Sequence, residues 1–488
     1  MSGVVQTAAI TNLGCKVNQS EMEAAARLLR ERGVRLVDAA SSADVYLVNT
    51  CTVTATADQK SRQAVRRARR ANPEAQIVVT GCSVQVDPVA FETADPGARL
   101  IDNRSKDRLL DELDEILGLP ALDASAPSTE GATAMPTLSG VEVEGVHDDR
   151  TSVERTRAFV KVQDGCSFYC TYCIIPAARG PERSLAPDAV LGDIRRALAA
   201  GHREIVLTGI NLGTYDGGWS VRGPRGSHVR SALTLAGLIR RVLDETGVER
   251  LRLSSIEPQH VDDELIEVWL ASAGRCLPHF HLPLQSGDDG VLRRMGRRYD
   301  TAFYAGLVRR LRDAIPGVAV HGDVIVGFPT EDDDAWRRSL GFIERIDYAG
   351  IHVFRYSARP GTPAVRMAGQ VDERTRKARA SELLTMAACA RATFAASHLG
   401  REVSVLFESR LDDGRWVGHA EDHILVAVEP DRRPGMENAI GRVAITAMDR
   451  EIPDRAVGRL LVLDPPTHSL RTPLPVLSST TTGGIYAR

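Results

Sequence analysis

The sequence lacks a membrane span: no stretch of its 488 residues approaches the ~18 consecutive apolar side chains that a bilayer crossing requires. Its opening, MSGVVQTAAITN, has neither the basic region nor the apolar run of a secretory signal. Net charge is nearly absent as well. The balance of −3, from 61 Lys+Arg against 64 Asp+Glu, excludes a polycation and confines any nucleic-acid contact to local patches. Eight cysteines are too few for a disulfide scaffold. Together these absences describe a cytoplasmic protein that does not enter membranes, in which clustered cysteines are expected as metal ligands or catalysts. No internal repeat is visible. What is present, 43% hydrophobic and 26% charged residues, suffices for real cores and excludes wholesale disorder.

Hydrophobic periodicity divides the chain. Residues 1–117 alternate strands (4–11, 34–37, 45–49, 76–80) with helices (18–32, 58–71, 105–117), the rhythm of a parallel, doubly wound sheet. Residues 118–150 are rich in Pro, Ala, Ser, Thr and Gly and are expected as a flexible linker. From 151 to 398, six strand–helix units fit a partial or complete parallel barrel, interrupted by an inserted loop at 215–230 and followed by a long helix near 371–398. Residues 399–464 hold five short strands, a small β-barrel of oligonucleotide-binding size, and 465–488 are expected as a disordered tail. The fold class is therefore α/β, with an N-terminal parallel sheet, a central (β/α) barrel and a C-terminal β-barrel.

Cys166, Cys170 and Cys173 form C-x3-C-x2-C just after the first barrel strand, at the end where parallel barrels collect their active sites. Three thiolates hold three irons of a [4Fe–4S] cluster and leave the fourth iron open, whereas a structural zinc wants four ligands. A zinc completed by a distant His, or three unrelated thiols, are the alternatives. With Tyr172 before the last cysteine, the loop resembles that of the radical S-adenosylmethionine (SAM) enzymes, in which the open iron chelates SAM and reductive cleavage gives a hydrogen-abstracting 5′-deoxyadenosyl radical.

Cys15, Cys51 and Cys82 each follow a strand of the N-terminal sheet, at the edge where open α/β sheets bind ligands. Buried structural cysteines are the plain reading of each one alone; three at matching positions point to a second cluster. The stretches LGCKVNQSE (13–21), VNTCTVT (48–54), VTGCSVQ (79–85), VQDGCSFYCTYCIIPAARG (162–180), RLSSIEP (252–258), HLPLQSG (281–287), DVIVGFPTE (323–331) and RYSARPGTPA (355–364) resemble the radical-SAM methylthiotransferases. That resemblance implies a flavodoxin-like N-terminal domain, a radical-SAM barrel and a C-terminal TRAM domain. It implies two [4Fe–4S] clusters, the auxiliary one on Cys15, Cys51 and Cys82, and two SAM molecules, one donating methyl and one the radical. It also implies an electron donor of the flavodoxin or ferredoxin type, the iron–sulfur assembly machinery as a partner, and a monomer. Among the branches, LGCKVNQSE and YSARPGTPA are similar to the one that acts on N6-threonylcarbamoyladenosine (t6A) at position 37 of the tRNA anticodon loop. The others, which read GCQMN or GCPKN, act on isopentenyladenosine or a ribosomal-protein aspartate.

Beyond the cysteines, Tyr172, Gly209, Glu257 and Gln285 are candidates for SAM contact, with Asp323 near the end of a later strand; each polar one is equally readable as a solvated loop residue. Arg179 is a candidate for substrate contact or a surface salt bridge. His279 and His281 read as satisfied core histidines, and Cys276 and Cys389 as structural thiols. Residues 60–70 carry six basic side chains and no acid, so Lys60, Arg62, Arg66, Arg69 and Arg70 offer a phosphate-ready face, with a second group at Arg293, Arg294, Arg297 and Arg298. A charge run is usually only a solvated face. The C-terminal barrel, with nine basic and twelve acidic residues over 399–463, is no electrostatic magnet, and GHAEDHI departs from the GHTENYI-like stretch of TRAM domains. A non-catalytic, metal-containing RNA-binding protein is the alternative from a different class.

Overall fold

The computed structural model describes residues 6–118, 156–217, 219–222, 228–230, 233–429 and 436–464. The expected linker, apart from its first residue, and the expected tail lie outside the described residues. In the N-terminal unit, β1 (Thr7–Asn12), β2 (Arg35–Val37), β3 (Val45–Thr50), β4 (Gln76–Gly81) and β5 (Arg99–Ile101) form one parallel sheet in the order β2-β1-β3-β4-β5. Helices Lys16–Glu31 and Leu109–Leu117 cover one face through Met22, Leu29 and Leu113, and helix Ala55–Ala71 covers the other through Val65 and Ala68. Cover on both faces explains why β3 is buried at every position and opens with four apolar residues in a row, Val45 to Val48. The strand order reverses between β1 and β3, which opens a crevice at their C-terminal ends. Strand β5 and the short helices Cys82–Val86 and Val89–Ala94 escaped the sequence reading because none is long enough to show a period.

The central unit contains six parallel strands, Arg157–Lys161, Glu204–Thr208, Arg250–Leu253, His279–His281, Ala319–Val326 and Gly350–Arg355. They form two three-stranded sheets joined by bridges at Leu251–Cys276 and Ser255–His281. Alternation assigns the two faces. Val160, Ile205, Leu251, Phe280 and Val320 enter the main apolar core beneath the helices. Their neighbours Arg157, Glu204, Arg252, His279, His281, His321 and Asp323 take the opposite, concave face. The insertion at 215–230 is not only loop: Trp219–Arg222 pairs antiparallel with His228–Arg230.

Helix Glu373–Ala396 leads to a closed five-stranded barrel of Glu402–Arg410, Trp416–Ala420, Leu425–Val428, Ile440–Met448 and Arg455–Asp464. This barrel is bound to the concave face by charge. Arg157 pairs with Glu408 at 3.0 Å, and Arg250 donates to the Ser404 carbonyl at 3.3 Å. Among the described residues no helix is long and apolar enough to cross a membrane. Cys276 is buried as expected, but Cys389 is exposed on the long helix, where it supports no packing.

Two facing three-cysteine sites

Cys15, Cys51 and Cys82 follow β1, β3 and β4 directly, so the topology of the sheet alone gathers them at one edge. Cys15 caps helix Lys16–Glu31, and Cys82 opens helix Cys82–Val86. Gly81 makes that turn possible. Its φ is 104°, and a Cβ there would stand 2.5 Å from the Thr50 carbonyl oxygen. The three thiols sense one another: Cys82 and Cys15 both oppose ionisation of Cys51. Burial is the larger effect and pushes Cys51 up to about 12.

The second set lies on the loop after the first barrel strand. Thr171 fixes that loop by donating its N–H to the Met295 carbonyl at 2.9 Å and its hydroxyl to the Arg294 carbonyl at 2.7 Å. Ala364 donates its N–H to the Thr171 carbonyl at 2.9 Å, which ties the RYSARPGTPA stretch to the same loop. Arg359 of that stretch reaches the N-terminal unit, donating to Thr52 at 2.6 Å and pairing with Asp58 beside Cys51. Burial pushes Cys173 up to about 12 and Cys166 to about 11, with the neighbouring thiols adding to the rise.

Arg179 joins the two sets. Its side chain is 1% exposed, which overturns the surface salt bridge considered for it. The Nε donates to Cys82 Sγ at 3.3 Å, Nη1 to Asp164 at 2.9 Å and to Glu21 at 3.3 Å, and Nη2 to Asn18. Asn103 completes the seam by donating to the Ala178 carbonyl at 2.8 Å. Glu21 also pairs with Lys106 and, at 3.2 Å, with Lys161. Burial opposes ionisation of Asp164, but Arg179 and Lys161 hold it at about 2. Glu21, Asn18, Asn103 and Asp164 were not singled out from the sequence; polar side chains on an otherwise core-facing helix turn, such as Asn18 and Glu21 among Val17 and Met22, were the available signal.

A second arginine serves the barrel cysteines. Arg297, placed by the sequence reading among the RNA-binding residues, has a side chain only 3% exposed and pairs with Glu257. It donates to Cys170 Sγ and to the Tyr172 hydroxyl, both at 3.4 Å. Burial therefore removes it from the RNA face, and the Glu257 carboxylate is engaged by it rather than standing open. Arg69 is likewise withdrawn from the basic stripe. It pairs with Asp95 at 2.9 Å and donates to the carbonyls of Pro73 and Ala75. Lys60, Arg66 and Arg70 are exposed, Arg62 is half-buried, and Arg298 lies over the Phe168 ring at 4.2 Å.

Tyr172 packs edge-on to Phe328 at 6.3 Å. A Cβ on Gly209 would meet Gln163 Oε1 at 3.0 Å, the oxygen that accepts the Asn211 N–H at 2.8 Å. Asn211 in turn donates to Glu182 at 3.1 Å beside Cys166. Gln285 sits at φ 69° with its backbone shared between Asp323 and Ile325. Asp323 accepts from His281 at 2.7 Å and His352 at 3.1 Å. His281 is satisfied, as read; His279 has a buried Nδ1 with no partner.

The donor sets fit two iron–sulfur clusters. Among the described residues each offers three thiols and no fourth cysteine, and in each a buried arginine donates to one sulfur, a contact that favours the anionic thiolate. Three protein ligands would leave one coordination position open on each cluster.

Residues 7–101 match the model described as Uncharacterized protein family UPF0004, and residues 160–343 match the Radical SAM superfamily. The chain is 37% identical over 441 residues, covering 90% of its length and 92% of the relative's, to the threonylcarbamoyladenosine tRNA methylthiotransferase MtaB of Bacillus subtilis. To the tRNA-2-methylthio-N(6)-dimethylallyladenosine synthase of Maricaulis maris it is 33% identical over 451 residues, covering 90% of this chain and 95% of that one. Its fold is like that of the radical S-adenosylmethionine methyltransferase TsrM of Kitasatospora setae, with a TM-score of 0.51 at 17% identity, covering 74% of this chain and 77% of that chain.

Proposed function

The chain belongs to the radical-SAM methylthiotransferases, and from that premise we propose that it converts t6A at position 37 of tRNA to its 2-methylthio derivative. The observation that carries this reading is the coupling of two three-cysteine sites through one buried side chain, Arg179, which touches Cys82 at 3.3 Å and closes the helix that follows Cys173. One site alone would leave either the radical or the sulfur without a source. When bound, the clusters and SAM supply the radical that removes hydrogen and the sulfur and methyl that replace it.

The residues of the chain supply position and exclusion. Cys166, Cys170 and Cys173 hold the SAM-cleaving cluster, and Cys15, Cys51 and Cys82 hold the auxiliary one. Tyr172, Gly209 and Gln285 border the SAM side. Arg297, braced by Glu257, and Arg179, braced by Asp164 and Glu21, keep a positive donor against one cysteine sulfur of each set. The anticodon loop presents a base that is splayed out of its stack more readily than one in a duplex. Its phosphates meet Lys60, Arg62, Arg66 and Arg70 on helix Ala55–Ala71, and Arg298 beside the cluster loop. The same reading carries a monomer in the cytoplasm, an electron donor of the flavodoxin or ferredoxin type, and iron–sulfur assembly machinery.

Nucleoside mass spectrometry of tRNA from cells lacking the protein and from cells re-expressing it tests the reading. Methylthio-t6A should vanish and return while methylthio-isopentenyladenosine stays constant. A change confined to the isopentenyl product would move the enzyme to the branch that the Maricaulis relative represents.

A further inference from the structure

The concave face of the barrel carries an unusual residue at its mouth. Lys16, the first residue of helix Lys16–Glu31, follows Cys15 directly. Helix Lys16–Glu31 packs against the first barrel strand, and the charged groups besides Cys15 that act on Lys16 are Arg157, Arg252 and Asp323, from three barrel strands, so the exposed residue borders the concave face. Nothing among the described residues hydrogen-bonds to it or pairs with it. The contrast with Lys106 and Lys161 is sharp, since both are tied to Glu21. Asp323, the acid facing Lys16, already accepts from His281 and His352 through one oxygen.

A second donor without an acceptor stands on the same concave face. Arg252 is 2% exposed, with Nε bound to Glu204 at 2.8 Å and Nη2 to the Ala420 carbonyl at 3.4 Å. Its Nη1 is buried and has no partner. Two neighbouring cations, each with an unused donor, are costly to each other and to the fold, and an anion between them relieves both.

We propose that Lys16, with Arg252 Nη1 beside it, is the specificity-determining cation of the substrate pocket and receives the free carboxylate of the threonylcarbamoyl group. This inference rests on the function proposed above. The chemistry selects the substrate. A carboxylate brings two acceptor oxygens for the two donors, whereas a dimethylallyl group brings none and leaves Lys16 without a counter-ion and Arg252 Nη1 buried and unpaired. A pocket built to hydrogen-bond its ligand rejects the analogue that cannot do so. The position also places recognition next to Cys15, so the charged end of the side chain is read beside the thiol assigned to the auxiliary cluster.

The test uses the cluster-loaded enzyme without reductant and measures its affinity for anticodon stem–loop RNA. One RNA carries t6A and the other its carboxamide analogue, which keeps the shape but removes the charge. Wild type should bind the acid at least tenfold more tightly than the amide. K16Q should lose that preference through weaker acid binding, with amide affinity and iron content unchanged, and K16R should restore most of it. Equal wild-type affinity for acid and amide overturns the inference even if K16Q loads its clusters poorly, and so does a K16Q enzyme that keeps the preference. A parallel reaction with reductant separates the two readings. If wild type leaves t6A RNA unmodified, the proposed function falls; if it modifies that RNA and K16Q still prefers the acid, only the role of Lys16 falls.

Discussion

Replacing Arg179 by Met should unlock the seam between the two cysteine sites. The substitution keeps much of the volume but removes the donors to Cys82, Asp164, Glu21 and Asn18. Removing one partner of a buried ion pair costs about 3–5 kcal/mol, chiefly because the remaining charge stays buried without compensation. Here the carboxylates keep some support. Glu21 retains Lys106 and Lys161, and Asp164 retains Arg183 at 3.3 Å and Lys161 at 3.5 Å. The lower end, about 3 kcal/mol, therefore applies. Amide hydrogen exchange reads this locally. Cys166 donates its N–H to the Gly180 carbonyl at 3.1 Å and Gly180 donates to Pro176 at 3.0 Å, so both amides report opening of the seam. Their protection should fall roughly a hundredfold, the equivalent of about 3 kcal/mol. Iron content should drop toward half as the auxiliary site fails to hold its cluster, while SAM cleavage persists. Lys at this position preserves the charge but not a planar fork serving four acceptors, so R179K should fall between wild type and R179M. Protection within threefold of wild type together with full iron content in R179M would refute the reasoning.

Three further outcomes follow from the same geometry. Arg297→Leu removes the donor to Cys170 and Tyr172 and strands Glu257, so reductive SAM cleavage should fall at least tenfold while iron at the auxiliary site is retained; Mössbauer or EPR signals of the two clusters, read separately, check this. Gly81→Ala forces a Cβ to within 2.5 Å of the Thr50 carbonyl at φ 104°, so the N-terminal sheet edge must shift and auxiliary-cluster loading should be lost, with the radical cluster spared. Burial alone would raise Glu408, but Arg157 and His419 hold it at about 2, below an ordinary 4.5, so its charge contributes about 3 kcal/mol to stability above pH 4.5, and that contribution is lost as pH falls toward 2. Acid should thus loosen the C-terminal barrel from the concave face, and exchange rates along Glu402–Arg410 in wild type and E408Q should converge only as pH falls to about 2.

The parts of the molecule that the sequence reveals are those governed by period and by chain order. Strands Val45–Thr50 and Gln76–Gly81 stand where the readings 45–49 and 76–80 place them, because helices on both faces of the sheet make each a nearly continuous buried run. The cysteines could be grouped because each follows a strand, and strand ends in a parallel sheet share an edge. What period cannot show is which charges meet across units. Arg297 and Arg69 look alike on paper to Arg298 and Arg70, yet the first two are taken up by Glu257 and Asp95, residues 40 and 26 positions away.

That difference also explains why the chemistry of the pocket lay hidden. Arg157, Glu204, Arg252, His279, His281, His321 and Asp323 are each followed by an apolar residue or a glycine, so in any one strand they resemble interruptions in a core. The half-barrel turns them all to one side, and the N-terminal helix and the C-terminal barrel then close over them with Lys16 and Glu408. Most of this charge is cancelled internally: Glu204 takes Arg250 and Arg252, and Glu408 takes Arg157. Cancellation makes the exceptions informative. In a face where nearly every cation has a named acid, the ammonium of Lys16 and the free Nη1 of Arg252 are the donors left for something the chain does not itself supply. The placement of Lys16 next to Cys15 makes an anionic substituent on the modified base the group that completes the pocket.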